Sequence, residues 1–412
     1  MAVRIRYMGN KREIAADVAE LVAGLRPHRP LIDLFSGMCF VAGAIAPSGR
    51  QVWVNDIQRY AELVGRCLVA TVERPPRADA MVALLGPALA RNRGQLEARF
   101  GDELAEERAT LAAPSVEYYG AAYCRWPHAA NSAGVAAEVA ELATQPRRTP
   151  YRLCTLGFAW GYFGLQQAIE LDSVRYAIDR ARRAREISAC ERRWALLALV
   201  QAASRLAASP GHLSQYLKAT NESSLGRVVA LRRRSAVAQF ENELALLEPY
   251  GCASWRKENR VSRADALGLW PRLRRSGFRG AVVYADPPYT RNQYADFYHV
   301  LETVTRYDYP ALSGKGRYRP DRFMTPFSRA REVGRAFAQL ARGVAATDST
   351  LVLSYPSNGM LQQHTGETPD AVLRRHFRSV ELALRRPARH SSLGARHGNR
   401  DAAVEEHVYV AS

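Results

Sequence analysis

The stretch Ala281-Val282-Val283-Tyr284-Ala285-Asp286-Pro287-Pro288-Tyr289 decides the fold: an apolar run runs straight into an acid, two prolines and an aromatic ring. The run suits a buried strand. Proline cannot donate to a central ladder, so the strand ends by Asp286, and Pro288 holds Pro287 extended. The turn that follows has little backbone freedom left to lose when something binds. Its polar groups are specific, because the Asp286 carboxylate and the Pro287 carbonyl can accept hydrogen bonds from one amino group. Tyr289 adds a face on which a flat ring can stack. Together these suit the exocyclic amine of a nucleobase.

Upstream, Leu31-Ile32-Asp33-Leu34-Phe35 reads as a buried parallel strand entering the turn Ser36-Gly37-Met38-Cys39, and a helix is predicted from about Phe40 to Ala46. Gln51-Val52-Trp53-Val54-Asn55-Asp56 is a second strand that also ends on an acid. Before them, Ile14, Val18, Leu21, Val22 and Leu25 recur at helical spacing over Lys11 to Leu25. Strand, glycine turn, helix, and strand with a terminal acid make up the nucleotide-binding half of a doubly wound sheet. A single Gly37 turn is a weak signal alone, since it lacks the G-x-G-x-x-G pattern. Asp56 is more informative, standing where a ribose diol needs an acceptor.

From about Ala70 to Lys257 the chain changes character, becoming alanine- and arginine-rich with few strand signals. Leu171 to Arg193 and Trp194 to Ala208 read as two helices closed by Ser209-Pro210-Gly211. The α/β rhythm then returns. A short strand over Arg260 to Asp265 closes on an acid, and a helix is predicted around Phe297 to Arg306. A helix from Ser328 to Ala341 starts on a serine cap, Leu351 to Tyr355 is another buried strand, and Val380 to Val410 reads as a hairpin with a long loop over Pro387 to Arg400.

The chain has 412 residues, 47% of them hydrophobic, which is enough for a large core or two domains. Its formal net charge of +18 points to a polyanionic partner, nucleic acid being the commonest. The excess is almost entirely arginine; the lysines are Lys11, Lys218, Lys257 and Lys315. Six scattered cysteines suggest neither a metal site nor a disulfide framework, and the expected location is the reducing cytoplasm, away from membranes.

With these residues in order, the chain resembles the Dam-like DNA adenine methylases, S-adenosylmethionine-dependent enzymes of the class I methyltransferase fold. The matching segments are Tyr7-Met8-Gly9-Asn10-Lys11, Asp33-Leu34-Phe35-Ser36-Gly37, Asp56, Asp265 and Asp286-Pro287-Pro288-Tyr289. One departure is Cys39, which stands where many members have a second glycine and suggests a differently shaped turn.

The resemblance implies an α/β fold: a class I, Rossmann-like methyltransferase sheet with a C-terminal β-hairpin, plus a largely helical inserted target-recognition domain. Residues 1–70 would form the cofactor-binding half of the catalytic domain, 71–258 the helical insertion, and 259–412 the catalytic half. The cofactor implied is S-adenosyl-L-methionine. Asp33 would take its methionine amino group beside the Gly37 turn, Phe35 would wall the pocket, Asp56 would take the ribose hydroxyls and Asp265 the adenine amine, while Tyr7 and Lys11 close over the methionine end. Asp286, Pro287, Pro288 and Tyr289 would carry methyl transfer to the 6-amino group of adenine in specific sequences of double-stranded DNA, after base flipping. Arg291, Asn292 and Tyr294 are candidates for contacting the flipped nucleotide's backbone. A cognate restriction enzyme is a candidate partner. We read His299, in the following Phe297 to Glu302 run, as a core or loop-orienting residue ahead of a general base.

Three alternatives stay open on the sequence. An RNA adenine or cytosine-amino methyltransferase is one, although cytosine enzymes usually present serine in place of Asp286. A catalytically inactive DNA-binding relative is another. A dinucleotide oxidoreductase is the third, and it leaves the two-proline loop unexplained.

Overall fold

The structure is a computed structural model that describes residue 5 and residues 14–275, 279–388 and 404–412. Tyr7, Lys11 and most of the expected Pro387 to Arg400 loop lie outside the described residues. The chain divides into two packed units. One is built on a sheet from Gly9–Val72, Tyr250–Tyr294 and Phe323–Ser412; the other is helical and comprises Met1–Met8, Glu73–Pro249 and Ala295–Arg322.

Seven strands form the sheet: β1 (Leu31–Asp33), β2 (Val52–Asp56), β3 (Arg260–Arg263), β4 (Val282–Ala285), β5 (Thr350–Pro356), β6 (Val380–Ala388) and β7 (Val404–Ala411). Their order is β3-β2-β1-β4-β5-β7-β6. The first five positions run parallel, and β7 is antiparallel to both β5 and β6, which makes the C-terminal pair a hairpin. Every residue of β1, β4 and β5 is buried, as expected of central parallel strands covered on both faces. This is the topology of the Rossmann-like methyltransferase fold.

Strand alternation sorts the apolar side chains onto one face. Ile32, Val283, Ala285, Leu351, Leu353 and Tyr355 meet Val333, Ala336, Phe337, Leu340 and Val344 of the helix Val333–Ala345. The packing is close enough that a Cβ added at Gly343 would lie 2.3 Å from the indole of Trp270. That helix starts later than the sequence suggests. Ser328 is not its cap; Thr325 instead caps a single 3-10 turn, Pro326–Ser328, ahead of it.

The helical unit centres on Leu165–Arg183 and Ala189–Leu206, both deeply buried. The break between them lies at Ala184–Ser188 rather than at Arg193, because Ser188 and Glu191 form a reciprocal capping box. Buried carboxylates hold other helix starts. Glu107 accepts from the N–H groups of Leu165 and Gln166 at 2.6 and 2.8 Å, and Glu170 accepts from Ala236 at 2.5 Å. Asp172 accepts from the backbones of Cys154 and Thr155, the Thr155 hydroxyl and the Tyr307 hydroxyl, all within 2.8 Å. Among the described residues no helix is long and apolar enough to cross a membrane.

Candidate active site

Parallel strands present their C-terminal ends along one edge, and the chain leaves β1 toward β2 on one side while β4 joins on the other. A crevice opens where strand order reverses in this way. At that edge stand four acids. Register places Asp33 of β1 level with Val54 of β2 and Tyr284 of β4. Asp56 and Asp286 each lie two residues beyond those partners, flanking Asp33 from either side. Asp265 lies two residues beyond Arg263, the partner of Asp56 on β3. Four separate stretches of sequence thus converge on one rim.

Backbone groups fix the acids. Asp56 accepts from the N–H of Gly37 at 3.0 Å and from Gln58 at 2.9 Å, so the end of β2 holds the turn that follows β1. Asp33 accepts from Phe35 N–H at 3.3 Å. Asp265 uses one oxygen to cap the turn Ala266–Gly268 through Leu267 N–H at 3.1 Å. Asn55 ties the rim together, donating to the carbonyls of Leu34 and Ala264 at 3.1 and 3.0 Å. Sequence reasoning missed Asn55, whose signal was a polar residue placed just inside a strand end.

Burial sets the electrostatics. Asp33 is 2% exposed, and desolvation, reinforced by the charges of Asp286 and Asp56, pushes its carboxyl up to about 8 against the opposing Phe35 hydrogen bond. Asp56 rises to about 6, again mainly through burial, with the N–H groups of Gln58, Gly37 and Ile57 opposing. Neither Asp33 nor Asp56 has an ion-pair partner among the described residues. Tyr284, between Asp33 and Asp286, has its hydroxyl raised well above the phenolic range by burial and by those same two acids.

The Gly37 turn takes the shape its residues allow. Gly37 has φ +46° and Cys39 φ +57°. A left-handed cysteine costs energy that glycine would not, yet Cys39 is fully buried and its sulfur points toward Gly65, 3.7 Å from where a Cβ there would sit. The side chain therefore fills the core under the turn instead of narrowing the strand rim.

The Asp286 loop is held from behind. Asp286, Pro288 and Tyr289 are half-buried and Pro287 is buried. The Tyr289 carbonyl accepts from Met360 N–H at 3.0 Å, and Tyr289 packs against the apolar core. Beyond it, Gln293 and Thr325 exchange two hydrogen bonds, at 2.9 and 3.4 Å. Phe35 stands edge-on to Phe327, ring centres 5.6 Å apart. Arg291 and Asn292 are exposed and Tyr294 half-buried; Arg291 reaches the His364 ring at 3.3 Å. His299 belongs to the helical unit, fully buried with its ring near Phe158, Tyr162 and Tyr318. Burial holds it neutral, pushed down to about 3.

Fold and rim together define a Rossmann-like methyltransferase architecture. In comparison with known proteins, residues 274–343 match the family model of D12 class N6 adenine-specific DNA methyltransferases. The chain is 27% identical over 216 residues to the type II methyltransferase M.FokI of Planomicrobium okeanokoites, an alignment covering 52% of this chain and 29% of that protein. It is 26% identical over 200 residues to the modification methylase LlaI of Lactococcus lactis subsp. lactis, covering 48% of this chain and 29% of the relative. Against the modification methylase StsI of Streptococcus sanguinis it is 26% identical over 153 residues, covering 37% and 20%. The chain thus spans less than a third of the length of the curated relatives it matches.

Proposed function

We propose that this protein transfers a methyl group from S-adenosyl-L-methionine to the 6-amino group of adenine within specific sequences of double-stranded DNA. The observation that carries this reading is the rim itself, where Asp286 and its two-proline loop stand beside Asp33 and Asp56 at the point where strand order reverses.

The donor set fits the cofactor. Asp33 and Asp56 are carboxylates that accept from backbone N–H groups, with lone pairs left over, so cationic and hydroxyl donors can still be accepted there. Asp33 and the Gly37 turn would hold the methionine amino group, Asp56 the ribose hydroxyls, Asp265 the adenine amine, and Tyr7 with Lys11 the methionine carboxylate end. When bound, the cofactor supplies an activated methyl on a sulfonium.

The protein's own residues do the rest. An adenine amine is a poor nucleophile because its lone pair is delocalised into the ring. Accepting both of its hydrogens, at the Asp286 carboxylate and the Pro287 carbonyl, favours a tetrahedral nitrogen with its lone pair aimed outward. The nitrogen gains positive charge as it attacks, so Asp286 stabilises the transition state more than the ground state. A paired base cannot reach this rim, so the target must flip out, with Tyr289 and Pro288 replacing lost stacking. Arg291, Asn292 and Tyr294 would steady the flipped nucleotide's backbone. The test is methyl transfer from labelled cofactor to DNA, followed by mapping of the modified base; modified cytosine, or modified RNA alone, would overturn it. A cognate restriction enzyme and a cytoplasmic location are part of the same proposal.

A further inference from the structure

Among the described residues, four with strained backbone gather around one turn of the helical unit. Of nine non-glycine residues with left-handed φ among the described residues, Tyr307, Tyr309 and Arg317 fall within eleven positions of the helical unit, and Trp160 lies in the turn that Arg317 grips. Such a residue persists only where its surroundings over-determine it. Here they do. Arg317 is 1% exposed and donates to the carbonyls of Gly157 and Ala159 at 3.1 and 2.7 Å.

That buried arginine forms the root of an exposed turn. Ser313 and Tyr318 exchange backbone hydrogen bonds at 2.8 and 2.9 Å, and Arg317 N–H returns to the Gly314 carbonyl at 3.0 Å. The turn is also pinned to a second loop, residues 209–220. Tyr318 donates its hydroxyl to the Ser214 carbonyl at 2.7 Å, while the Tyr162 hydroxyl lies 2.7 Å from the Leu213 carbonyl and 3.0 Å from that of Gly316. A Cβ at Gly316 would sit 2.4 Å from the Ser214 carbonyl, so only glycine permits this approach.

What the two loops display is chemically one-sided. Ser313, Gly314 and Lys315 are exposed at the apex of one, Gln215 and Lys218 on the other. These loops hold two of the four lysines in the chain, and neither 209–220 nor 309–320 contains an aspartate or glutamate. The acids that flank the second loop, Asp308 and Asp321, are both paired with Arg306 and Arg319. Rigid anchoring lowers the ordering cost of contact, and lysines on loops that carry no acid of their own attract phosphate.

We propose that the paired loops 209–220 and 313–318 are a preformed contact surface for the phosphate backbone of duplex DNA, with Lys315 and Lys218 as its phosphate contacts. The assignment rests on the DNA-modifying reading, and its test omits the cofactor so that the two can fail separately. Binding of the full-length protein to labelled duplexes of differing sequence is followed by fluorescence anisotropy over a salt series. Lys315→Gln and Lys218→Gln should each reduce the slope of log K against log salt by about 0.9, equally for every duplex, and the double variant by about twice that. Lys257→Gln, which removes an exposed lysine of the sheet unit, should leave the slope unchanged. Gly316→Ala keeps both charges but displaces the turn, and should weaken binding where Lys257→Gln does not. An unaltered slope in both lysine variants overturns the proposal, as does a slope loss seen with duplex RNA and absent with DNA. Slope losses in a protein that transfers no methyl group would leave this surface standing and remove the reading it deepens.

Discussion

Asp56 and Gly37 lie nineteen residues apart in sequence and are joined by a 3.0 Å hydrogen bond from the Gly37 N–H to the Asp56 carboxylate. The acid expected to receive a ribose is therefore also the group that sets the turn beside it. Asp56→Ala should cost twice over, leaving Gly37 and Gln58 N–H groups without their acceptor and removing the diol's partner. Calorimetric titration with cofactor should show at least a tenfold loss of affinity, and stability should fall by about 1–3 kcal/mol. Retained affinity would separate Asp56 from the pocket.

The raised carboxyls of Asp33 and Asp56 make the rim sensitive to pH. With Asp33 near 8 and Asp56 near 6 in the folded protein, both hold protons that the unfolded chain has already released above about 4. The folded state binds more protons, so this contribution to stability falls as pH rises, from about 4 to 6 through Asp56 and from about 4 to 8 through Asp33, by at most about 1.4 kcal/mol per pH unit for each group within its own window. Asp33→Asn should flatten the fall in melting temperature of the cofactor-free protein over that window. A cation favours the ionised form, so cofactor affinity should rise over the same range in the parent and much less in Asp33→Asn. A melting temperature that rises through the window in the parent alone would contradict the assignment.

Much of the sheet unit was legible because central parallel strands are short and largely apolar, and three of them end on or run into an acid: Asp33, Asp56 and Asp286. Leu31–Asp33, Val52–Asp56, Val282–Ala285 and Thr350–Pro356 all lie where the sequence marks them. Helix boundaries were harder. Apolar residues continue on both sides of Ser188, so periodicity alone did not reveal the break, although the Ser188-x-x-Glu191 pattern was there to be read. The packing of Ala295–Arg322 with the helical unit was also invisible, because helical spacing shows that a face is buried without showing against what. The acids of the rim were nameable from strand ends, but the Asn55 ties and the inward turn of Cys39 depend on contacts between distant segments.

Asp172 is the clearest structural carboxylate of the helical unit. It serves Cys154, Thr155 and Tyr307 from a fully buried position. Asp172→Ala should leave several buried donors unsatisfied and destabilise that unit by roughly 3 kcal/mol or more in denaturant titration. A loss under about 1 kcal/mol would show that these bonds are replaceable.

His299 supplies a negative expectation for the chemistry. Held neutral by burial and facing Tyr162 at 3.2 Å, it should not titrate near neutrality. His299→Gln should lower stability while leaving the shape of the pH–rate profile between about 5.5 and 8 intact. Loss of an inflection near 6.5 in that variant would assign it a proton-transfer role.

The most direct test concerns Asp286. Single-turnover transfer of labelled methyl to duplex DNA should fall by at least a thousandfold in Asp286→Ala, while cofactor affinity stays within about threefold of the parent, since Asp33 and Asp56 remain to hold it. Methyl transfer to adenine that survives the substitution would contradict the role given to this carboxylate.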